Sequence, residues 1–242
     1  MAQISARRST RLTLFRTAFT SGRNQGDELS PLAASSVTEW DFSVASGVSS
    51  DHEERDFSSF AVLRDEALQC TKCPLAAGRT QVVFGSGDEH ARLMFVGEGP
   101  GADEDRTGEP FVGRAGKLLT SLIEGIGLTR SDVYIANVVK CRPPGNRDPH
   151  PIEIDSCRPY LEAQIGFIQP RVLVTLGNFA TKLLLDTKTG ITKLRGEAHP
   201  FRDGAVVIPV LHPSAVLRNG GAALAQARAD FVVIRRALAN VS

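Results

Sequence analysis

Four residue types are scarce in this 242-residue sequence: it has one tryptophan, two methionines, two tyrosines and four cysteines. So few cysteines, with no secretory signal in the sequence, disfavour a disulfide-stapled extracellular scaffold. No apolar run approaches the roughly 20 residues that a membrane-spanning helix needs. The formal net charge is only +1, so bulk charge does not predict nucleic-acid binding, and any such site must be local. We therefore expect a soluble, cytoplasmic protein without a membrane segment.

The first 56 residues differ in character from the rest of the sequence. They are rich in serine and threonine and show no apolar periodicity, and Trp40 is an isolated aromatic among them. We predict a disordered extension over residues 1–56 and a folded domain over residues 57–242. Five arginines precede the first acidic residue, Asp27. An arginine-rich, acid-free start is also typical of an organelle transit peptide, which is the alternative to a cytoplasmic location.

Beyond residue 56, short apolar runs alternate with amphipathic segments. The apolar runs predict four strands, at residues 93–96, 133–139, 171–176 and 206–211. Helical spacing predicts helices before Cys70 and at residues 115–126, 151–168, 179–185 and 222–239. Right-handed crossovers turn such a series into a doubly wound fold. The predicted fold class is α/β, a three-layer α-β-α sandwich around a central, mainly parallel four-stranded sheet.

The stretch at residues 92–111 carries the strongest functional signal. It reads RLMFVGEGPGADEDRTGEPF, an apolar strand followed by a glycine-rich, acidic loop that ends at one aromatic ring. Glycines let the backbone turn sharply and approach a ligand closely. In an open α/β sheet the binding crevice lies where strand ends meet such loops. We therefore expect the functional site at the carboxyl end of this strand.

The same loop formally matches a dinucleotide-binding fingerprint. Residues 97–102, GEGPGA, fit G-x-G-x-x-G/A and follow a strand. In that motif a helix N-terminus binds a pyrophosphate, whereas here Pro100 interrupts the loop and several carboxylates surround it. No helix is expected before Gly113. The local charge and the expected structure therefore disfavour a nucleotide cofactor.

The four cysteines form two pairs with different spacing. Cys70 and Cys73 make a C-x2-C pair followed by proline, and Cys141 and Cys157 make a C-x15-C pair. Four thiolates suit a closed metal site, either tetrahedral zinc or a 4Fe-4S cluster. The Cys-Pro step favours iron, because it occurs in ferredoxin-type ligation. Two disulfides are the remaining alternative.

Further segments place polar residues after the other predicted strands. They read ANVVKCRPPGNR at residues 136–147, VTLGN at residues 174–178 and HPSAVLR at residues 212–218. Together with GEGPGADEDRTGEPFVG at residues 97–113 and the cysteine spacing, they closely resemble the family 4 uracil-DNA glycosylases, the iron-sulfur branch of that superfamily. The resemblance covers residues 60–238. It implies a monomeric, monofunctional enzyme that flips uracil out of single- or double-stranded DNA and hydrolyses its N-glycosidic bond, leaving an abasic site in base excision repair.

The resemblance also implies a uracil-binding site. Phe111 resembles the ring that stacks on the flipped base. Asn137 resembles the amide that reads uracil O4 and N3–H, since an amide offers both a donor and an acceptor. The backbone around Glu98, Gly99 and Pro100 completes the implied uracil site.

Catalysis in such an enzyme must stabilise negative charge on the departing base. His212 resembles the family's histidine beside uracil O2, whose hydrogen bond strengthens as that charge develops. The residue that orients water or stabilises the sugar cation stays open among Glu98, Glu104 and Asn146.

The resemblance places the DNA-binding residues near the last predicted strand and after Cys141. HPSAVLR resembles a loop that enters the minor groove, with Val216 or Leu217 as the wedge, Arg218 near a phosphate and Ser214 as a further contact. Basic residues in loops beside strand ends are the other predicted phosphate contacts: Lys140, Arg142, Arg147, Lys193 and Arg195. A solvated basic face is the alternative interpretation of these side chains.

Two other functions remain open from the sequence. One is a non-catalytic, metal-stabilised nucleic-acid binding module, and the other is a zinc-stabilised nucleotide-binding protein. The presence of Glu98, Phe111, Asn137 and His212 together favours the enzyme, because a module that only bound DNA would not require all four.

Overall fold

The computed structural model describes residues 57–240, and the fold is that of this part of the chain. The predicted disordered extension over residues 1–56, the transit-peptide alternative and Trp40 lie outside the described residues. The domain boundary at residue 57 and the cytoplasmic location stay predictions. Within residues 57–240, no helix combines the length and the apolar character needed to cross a membrane.

One mixed sheet of six strands forms the centre of the described part, in the order β1-β3-β2-β4-β6-β5. The strands are β1 (Ser86–Gly87), β2 (Leu93–Gly97), β3 (Tyr134–Asn137), β4 (Val172–Leu176), β5 (His199–Pro200) and β6 (Val206–Val210). The four central strands are parallel, while β1 and β5 pair antiparallel at the two edges. The mainly parallel sheet and its four predicted strands are confirmed. The two edge strands escaped prediction because two residues carry no periodicity.

The central strands are apolar because helices cover the sheet on both faces. Every residue of β2, β3 and β4 is buried, which is typical of parallel sheets in α/β proteins. Gly97 pairs with Asn137 at the ends of β2 and β3. The loops that follow these two strands therefore begin side by side at the carboxyl edge of the sheet.

Eight α-helices lie within residues 57–240. They are α1 (Phe60–Leu68), α2 (Ala102–Thr107), α3 (Arg114–Glu124), α4 (Pro151–Ile168), α5 (Asn178–Leu185), α6 (Ile191–Leu194), α7 (Pro213–Asn219) and α8 (Gly221–Asn240). The predicted bounds of α4 match the structure, those of α5 differ by one residue at the start, and those of α8 differ by one residue at each end. Four single 3-10 turns complete this part of the chain: Pro74–Ala77, Arg130–Asp132, Pro144–Asn146 and Arg202–Gly204.

The helices and the sheet enclose two hydrophobic cores. Met94 and Val96 of β2 point into the core beneath α1, α4 and α5, while Leu93 and Phe95 point into the core beneath α3, α7 and α8. Alternate residues of a strand face opposite sides of a sheet, so one strand supplies both cores. The predicted three-layer α-β-α sandwich is confirmed.

Helix α2 contradicts the expectation that no helix begins before Gly113. Pro100 precedes the helix instead of interrupting it, and the Glu104 carboxylate accepts the Gly101 N–H at 3.1 Å, which caps the first turn. Three acidic residues lie in that first turn, where the helix dipole favours carboxylates. The acids that disfavour a pyrophosphate therefore stabilise the helix itself.

Candidate functional site

A cavity of about 540 Å³ opens at the carboxyl edge of the sheet. Its walls come from the loops after β2, β3, β4 and β6, as the position of the glycine-rich loop predicts. All the residues predicted to bind the base or to act in catalysis line it: Glu98, Gly99, Pro100, Glu104, Phe111, Asn137, Asn146 and His212. Ser214 and Arg218 also line it. The fold thus brings together residues that are up to 120 positions apart in the chain.

Asn137 is the last residue of β3 and presents an unsatisfied polar atom. Its side chain is 1% exposed, and its Oδ1 has no hydrogen-bond partner within residues 57–240. Buried polar atoms are usually paired, so an unpaired one in a cavity wall indicates a place for a ligand. This acceptor is therefore available to a donor on a bound molecule.

Gly97 explains how the Asn137 amide and the Phe111 ring approach each other. A Cβ atom at this position would lie 2.4 Å from Asn137 Oδ1 and 2.6 Å from Phe111 Cζ. Both side chains therefore pack on bare backbone at the end of β2. The Phe111 ring centroid lies 5.8 Å from that of His212, with the planes inclined by 36°. Ring, amide and imidazole form one compact group.

His212 is held in a single tautomer by the start of α7. The Ser214 N–H donates to His212 Nδ1 at 3.2 Å, and the Ser214 hydroxyl lies 2.8 Å from the same nitrogen. Because an amide N–H can only donate, Nδ1 is an acceptor and the neutral ring carries its proton on Nε2. Burial lowers the pKa of His212 to about 4, helped by the positive charge of Arg218 and opposed by Glu104. At neutral pH the imidazole is an uncharged donor.

The pKa of Glu98 is shifted in the opposite direction to that of His212. Burial, together with the nearby negative charge of Asp148, raises the pKa of its carboxyl group to about 7. A group with this pKa is present in both protonation states at neutral pH. Perturbation of this kind is common for titratable groups in functional clefts.

The other two acid-base candidates are already hydrogen-bonded. The Glu104 carboxylate accepts from the backbone N–H groups of Val112 at 2.9 Å and Gly113 at 3.0 Å, in addition to Gly101. Asn146 Oδ1 accepts from Arg142 Nε at 2.7 Å on an exposed turn. Both side chains line the cavity, with their acceptors engaged by the protein.

The segment predicted as a minor-groove loop is the helix α7. Val216 is 2% exposed and packs in the core beneath α3, α7 and α8, so its prediction as the wedge is wrong. Leu217 is 43% exposed. The helical rotation of about 100° per residue separates the two environments. Only Leu217 of this pair can enter a groove.

Lys140 is also placed differently from its prediction. It is 2% exposed, and its Nζ donates to the Asn137 carbonyl at 2.9 Å and to Gln164 Oε1. Burial lowers its pKa to about 8, against the opposing influence of the Cys157 and Cys141 thiols. The prediction that Lys140 contacts a DNA phosphate is wrong, because its ammonium group lies in the interior.

Two further arginines predicted to contact phosphate form ion pairs within the protein. Arg147 donates to both carboxylate oxygens of the buried Glu153, at 2.9 and 2.6 Å, and lowers the pKa of that carboxyl. Arg195 pairs with Asp230 at 2.8 Å. Lys193 and Arg218 are exposed and Arg142 is half-buried, and none of these three predicted basic contacts pairs with a carboxylate within residues 57–240.

The four cysteines line a second cavity. Cys70 and Cys73 follow α1, Cys141 follows β3, and Cys157 lies inside α4. All four are free thiols, which contradicts the disulfide alternative. Within residues 57–240, no three His, Cys, Asp or Glu side chains are grouped to hold a single metal ion. The four sulfurs surround a space and do not converge on one point.

Two donors face the sulfurs in this cavity. The backbone N–H of Lys140 donates to Cys157 Sγ at 3.2 Å, and Arg79 Nη1 lies 3.5 Å from Cys141 Sγ. Hydrogen bonds and a positive charge stabilise thiolates. An all-thiol ligand set with donors around it fits an iron-sulfur cluster.

Several residues of the site were not predicted individually from the sequence. Asn178, Phe179 and Ile191 form part of the main cavity wall. Asn178 belongs to the segment VTLGN, and its position after a predicted strand could have identified it. Asp148 raises the pKa of Glu98, and Arg130 donates to the Phe111 carbonyl. The members of each pair are far apart in the chain, so no local sequence pattern reveals these contacts.

Comparisons with known proteins agree with this geometry. The family model described as the uracil DNA glycosylase superfamily matches residues 84–238. The chain is 52% identical over 159 residues to a type-4 uracil-DNA glycosylase of Thermotoga maritima, covering 65% of this chain and 83% of the relative. It is 47% identical over 169 residues to a type-4 enzyme of Sulfurisphaera tokodaii, covering 66% and 77%. Similarity to a type-5 uracil-DNA glycosylase of Thermus thermophilus is lower, at 38% over 168 residues, covering 56% and 74%.

Proposed function

The chain belongs to the type-4 branch of the uracil-DNA glycosylase superfamily, and on that premise we propose that it hydrolyses the N-glycosidic bond of uracil in DNA during base excision repair. The observation that carries the proposal is the unpaired acceptor of Asn137 beside the Phe111 ring and the neutral imidazole of His212. This group offers a stacking surface, a base-reading amide and a donor for the leaving group in one cavity.

Asn137 is proposed to read the Watson-Crick edge of a flipped base. Its free Oδ1 accepts the uracil N3–H, and its amide N–H donates to uracil O4. Cytosine has an acceptor at N3 and a donor at its amino group, so the same amide would face two mismatched contacts. Phe111 supplies the face on which the base stacks.

His212 is proposed to stabilise the departing uracil anion. Its Nε2–H donates to uracil O2, and the bond strengthens as negative charge develops on that oxygen. Because burial holds the pKa of the imidazole near 4, the ring binds as a neutral donor and needs no extra proton at neutral pH. Ser214 keeps the proton on Nε2 by occupying Nδ1.

Water is the proposed nucleophile, and Glu98 is the carboxyl group proposed to orient it. The carboxylate form of Glu98 also stabilises positive charge on the sugar. Lys140, which contacts the Asn137 carbonyl, has its amine buried between that carbonyl and Gln164. Hydrolysis to an abasic site is therefore proposed in preference to lyase chemistry.

The four cysteines are proposed to bind a 4Fe-4S cluster, with zinc as the alternative. Cys70, Cys73, Cys141 and Cys157 would be its ligands, and their thiols surround one cavity. When bound, such a group crosslinks the protein and stabilises its fold. The ligands join the end of α1, the loop after β3 and the interior of α4.

DNA contacts are proposed along the rim of the main cavity. Leu217 fills the gap that the flipped base leaves, and Ser214, Arg218 and Arg142 contact the backbone. We also propose that the protein acts as a monomer, because one chain supplies every member of the site.

Uracil release from a labelled single-stranded oligonucleotide under single-turnover conditions tests the proposal. We expect the wild-type protein to release uracil and Asn137→Ala to be about 100-fold slower or worse. The matched control is Asn240→Ala, at the exposed end of α8, which should match the wild type. Tight DNA binding without release by a folded, brown wild-type protein would instead support a binding module.

Asn137→Asp tests the reading role of this residue. A carboxylate lacks the amide donor, so we expect discrimination between uracil and cytosine to fall. The ratio of the two release rates is the measurement. A ratio equal to that of the wild type would contradict the assignment of Asn137 as the reader.

A further inference from the structure

Phe111 has a backbone conformation that is unusual for its residue type. Its φ is +54°, in the left-handed region that bulky side chains rarely adopt. Such conformations persist only where the surroundings enforce them, and they are concentrated at ligand-binding sites. The contacts that enforce this conformation therefore bear on how the ring is presented to a base.

Glu104 fixes the backbone on the C-terminal side of Phe111. Its Oε1 accepts the N–H groups of Val112 at 2.9 Å and Gly113 at 3.0 Å, and its Oε2 accepts that of Gly101 at 3.1 Å. One carboxylate thus joins the start of α2 to the start of α3. With both oxygens engaged by backbone donors, it is better suited to holding the loop than to activating water.

Arg130 fixes the backbone on the N-terminal side of Phe111. Its Nη2 donates to the Pro110 carbonyl at 2.8 Å, and its Nη1 lies 3.3 Å from the Phe111 carbonyl. Burial lowers the pKa of Arg130, partly offset by the charge of Glu109. The planar guanidinium can hold two successive carbonyls in one geometry, which a lysine ammonium cannot do.

Two glycines allow the main chain to approach Phe111 closely on its remaining sides. A Cβ atom on Gly116 of α3 would lie 1.8 Å from the Phe111 carbonyl oxygen, and one on Gly97 would lie 2.6 Å from its Cζ. The backbone and the ring therefore each rest on bare main chain. Together with Glu104 and Arg130, these contacts define the position of the ring from four sides.

We infer that Glu104 and Arg130 are positioning residues that hold Phe111 in its strained conformation, so that its ring is in place before a base enters. The inference deepens the proposed function and rests on it. It reassigns Glu104 from a candidate for water activation to the support of the stacking surface, and it gives Arg130 a role that the sequence did not reveal.

The inference predicts a specific kinetic signature. If the two residues act through the ring, their loss should impair the flipped state and spare the initial encounter with DNA. We expect Glu104→Gln and Arg130→Lys to slow single-turnover uracil release about 10- to 100-fold. Affinity for a uracil-free oligonucleotide of the same length should stay within about twofold of the wild type.

A double-mutant cycle with Phe111→Leu separates this role from others. In the Phe111→Leu background, Glu104→Gln and Arg130→Lys should each change the release rate by less than about twofold, since their target is already lost. Glu124→Gln on α3 and Arg236→Lys on α8 are exposed controls, expected to match the wild type in either background. Circular dichroism melts identify which variants are folded. If only one of Glu104→Gln and Arg130→Lys folds, the cycle with that variant alone still tests the inference.

The results distinguish this inference from the proposed function. Full activity of both variants, or losses that multiply in the Phe111→Leu background, would overturn the positioning role while leaving the glycosylase proposal intact. If Glu104→Gln slows release further in the Phe111→Leu background while Arg130→Lys does not, Glu104 would again be an independent catalytic group. Absence of uracil release by the folded wild-type protein would contradict the proposed function itself.

Discussion

His212 shows how a position at a helix N-terminus can set both the tautomer and the pKa of a histidine. Its Nδ1 is occupied by Ser214, and burial lowers the pKa of the ring to about 4. Protonation would place a hydrogen on Nδ1, which would then face the Ser214 N–H and lose its role as acceptor. The neutral ring is therefore the form that both the fold and the proposed chemistry require.

The first prediction concerns this histidine. His212→Ala should slow uracil release about 100- to 1000-fold, as expected for removal of one donor to a developing oxyanion, with a smaller effect on DNA affinity. Single-turnover rates and equilibrium binding to a uracil-containing oligonucleotide check this. Equal losses in rate and affinity would make His212 a binding residue.

The same pKa shift makes the protein sensitive to acid. Because the folded-state pKa of His212 is lowered from 6.5 to about 4, the unfolded chain binds this proton more readily between these pH values. The contribution of His212 to stability is complete above pH 6.5 and is lost as pH falls through about 4. Melting temperatures of the wild type and His212→Ala should therefore converge toward pH 4.

Glu98 leads to the second prediction, with the opposite sign. Its pKa is raised from 4.5 to about 7, so its contribution to stability is present below pH 4.5 and is lost as pH rises through about 7. Uracil release should increase through pH 7 as the carboxylate forms, and Glu98→Gln should abolish this rise. Above pH 7 the same variant should melt at a higher temperature than the wild type.

A pH-rate profile and a series of melts from pH 5 to 9 check both effects of Glu98→Gln. The matched control is Glu124→Gln, an exposed carboxyl on α3. A rise of the wild-type rate near pH 7 that persists in Glu98→Gln would assign it to another group.

The contributions of these residues were predictable to different degrees. Asn137 and His212 follow predicted strands, and the strand ends of a parallel sheet meet at one edge, so their convergence follows from the sequence. The burial of Lys140 does not, because it depends on Gln164, which lies 24 residues away on α4. A lysine in a loop is ordinarily exposed, and only the packed structure reveals its two acceptors.

At the scale of elements, the rotational phase of α7 decides which of two neighbouring side chains is exposed to solvent. Val216 and Leu217 are adjacent in sequence, but Val216 is in the core and Leu217 is exposed. The sequence identified the pair without choosing between them. A proline at the first position of the helix is typical of a helix start, and this signal could have predicted α7.

The third prediction contrasts these two neighbours. Val216→Ala should reduce the free energy of unfolding by about 2 kcal/mol through a core cavity, with little effect on release from the folded protein. Leu217→Ala should leave stability nearly unchanged and should slow release from duplex DNA more than from single strands. Urea unfolding and release assays on both substrates measure these effects.

Equal effects of Leu217→Ala on duplex and single-stranded substrates would contradict its role as a wedge. A wedge fills a gap in a base stack, and a single strand offers no complete stack to fill. The Val216→Ala protein serves as the control for a merely structural effect of a smaller side chain in α7.

Other elements show why strands and long helices were easier to predict than short segments. Helix α4 has 18 residues and a proline at its first position, and such a proline is typical of a helix start. Helix α2 has six residues, mostly polar, and its cap depends on Glu104 reaching back to Gly101. Apolar periodicity cannot reveal such a helix, because its stability comes from hydrogen bonds.

At the scale of the whole molecule, the four cysteines lie on parts of the chain that the sheet does not join directly, and they line one cavity. They belong to the end of α1, to α4 and to the loop that leaves β3, the strand whose last residue is Asn137. Only three residues separate Asn137 from Cys141, so the proposed metal centre and the proposed reading residue share one short segment.

The fourth prediction follows from this connection. Cys157→Ser should abolish the brown colour and the broad absorption near 400 nm expected of a 4Fe-4S protein, and it should lower the melting temperature, because a ligand within the core is lost. Absorption spectra, iron content and melts measure these changes. A colourless wild-type protein with bound zinc would favour the alternative metal.

The two edges of the sheet bear on whether molecules of this protein associate with one another in solution. The edge strands β1 and β5 contain two residues each, one ending in a glycine with φ of +126° and the other in a proline. A strand from a neighbouring molecule would find almost no ladder to extend there. Edge-to-edge aggregation is thus disfavoured by the backbone itself, whatever the surface charge.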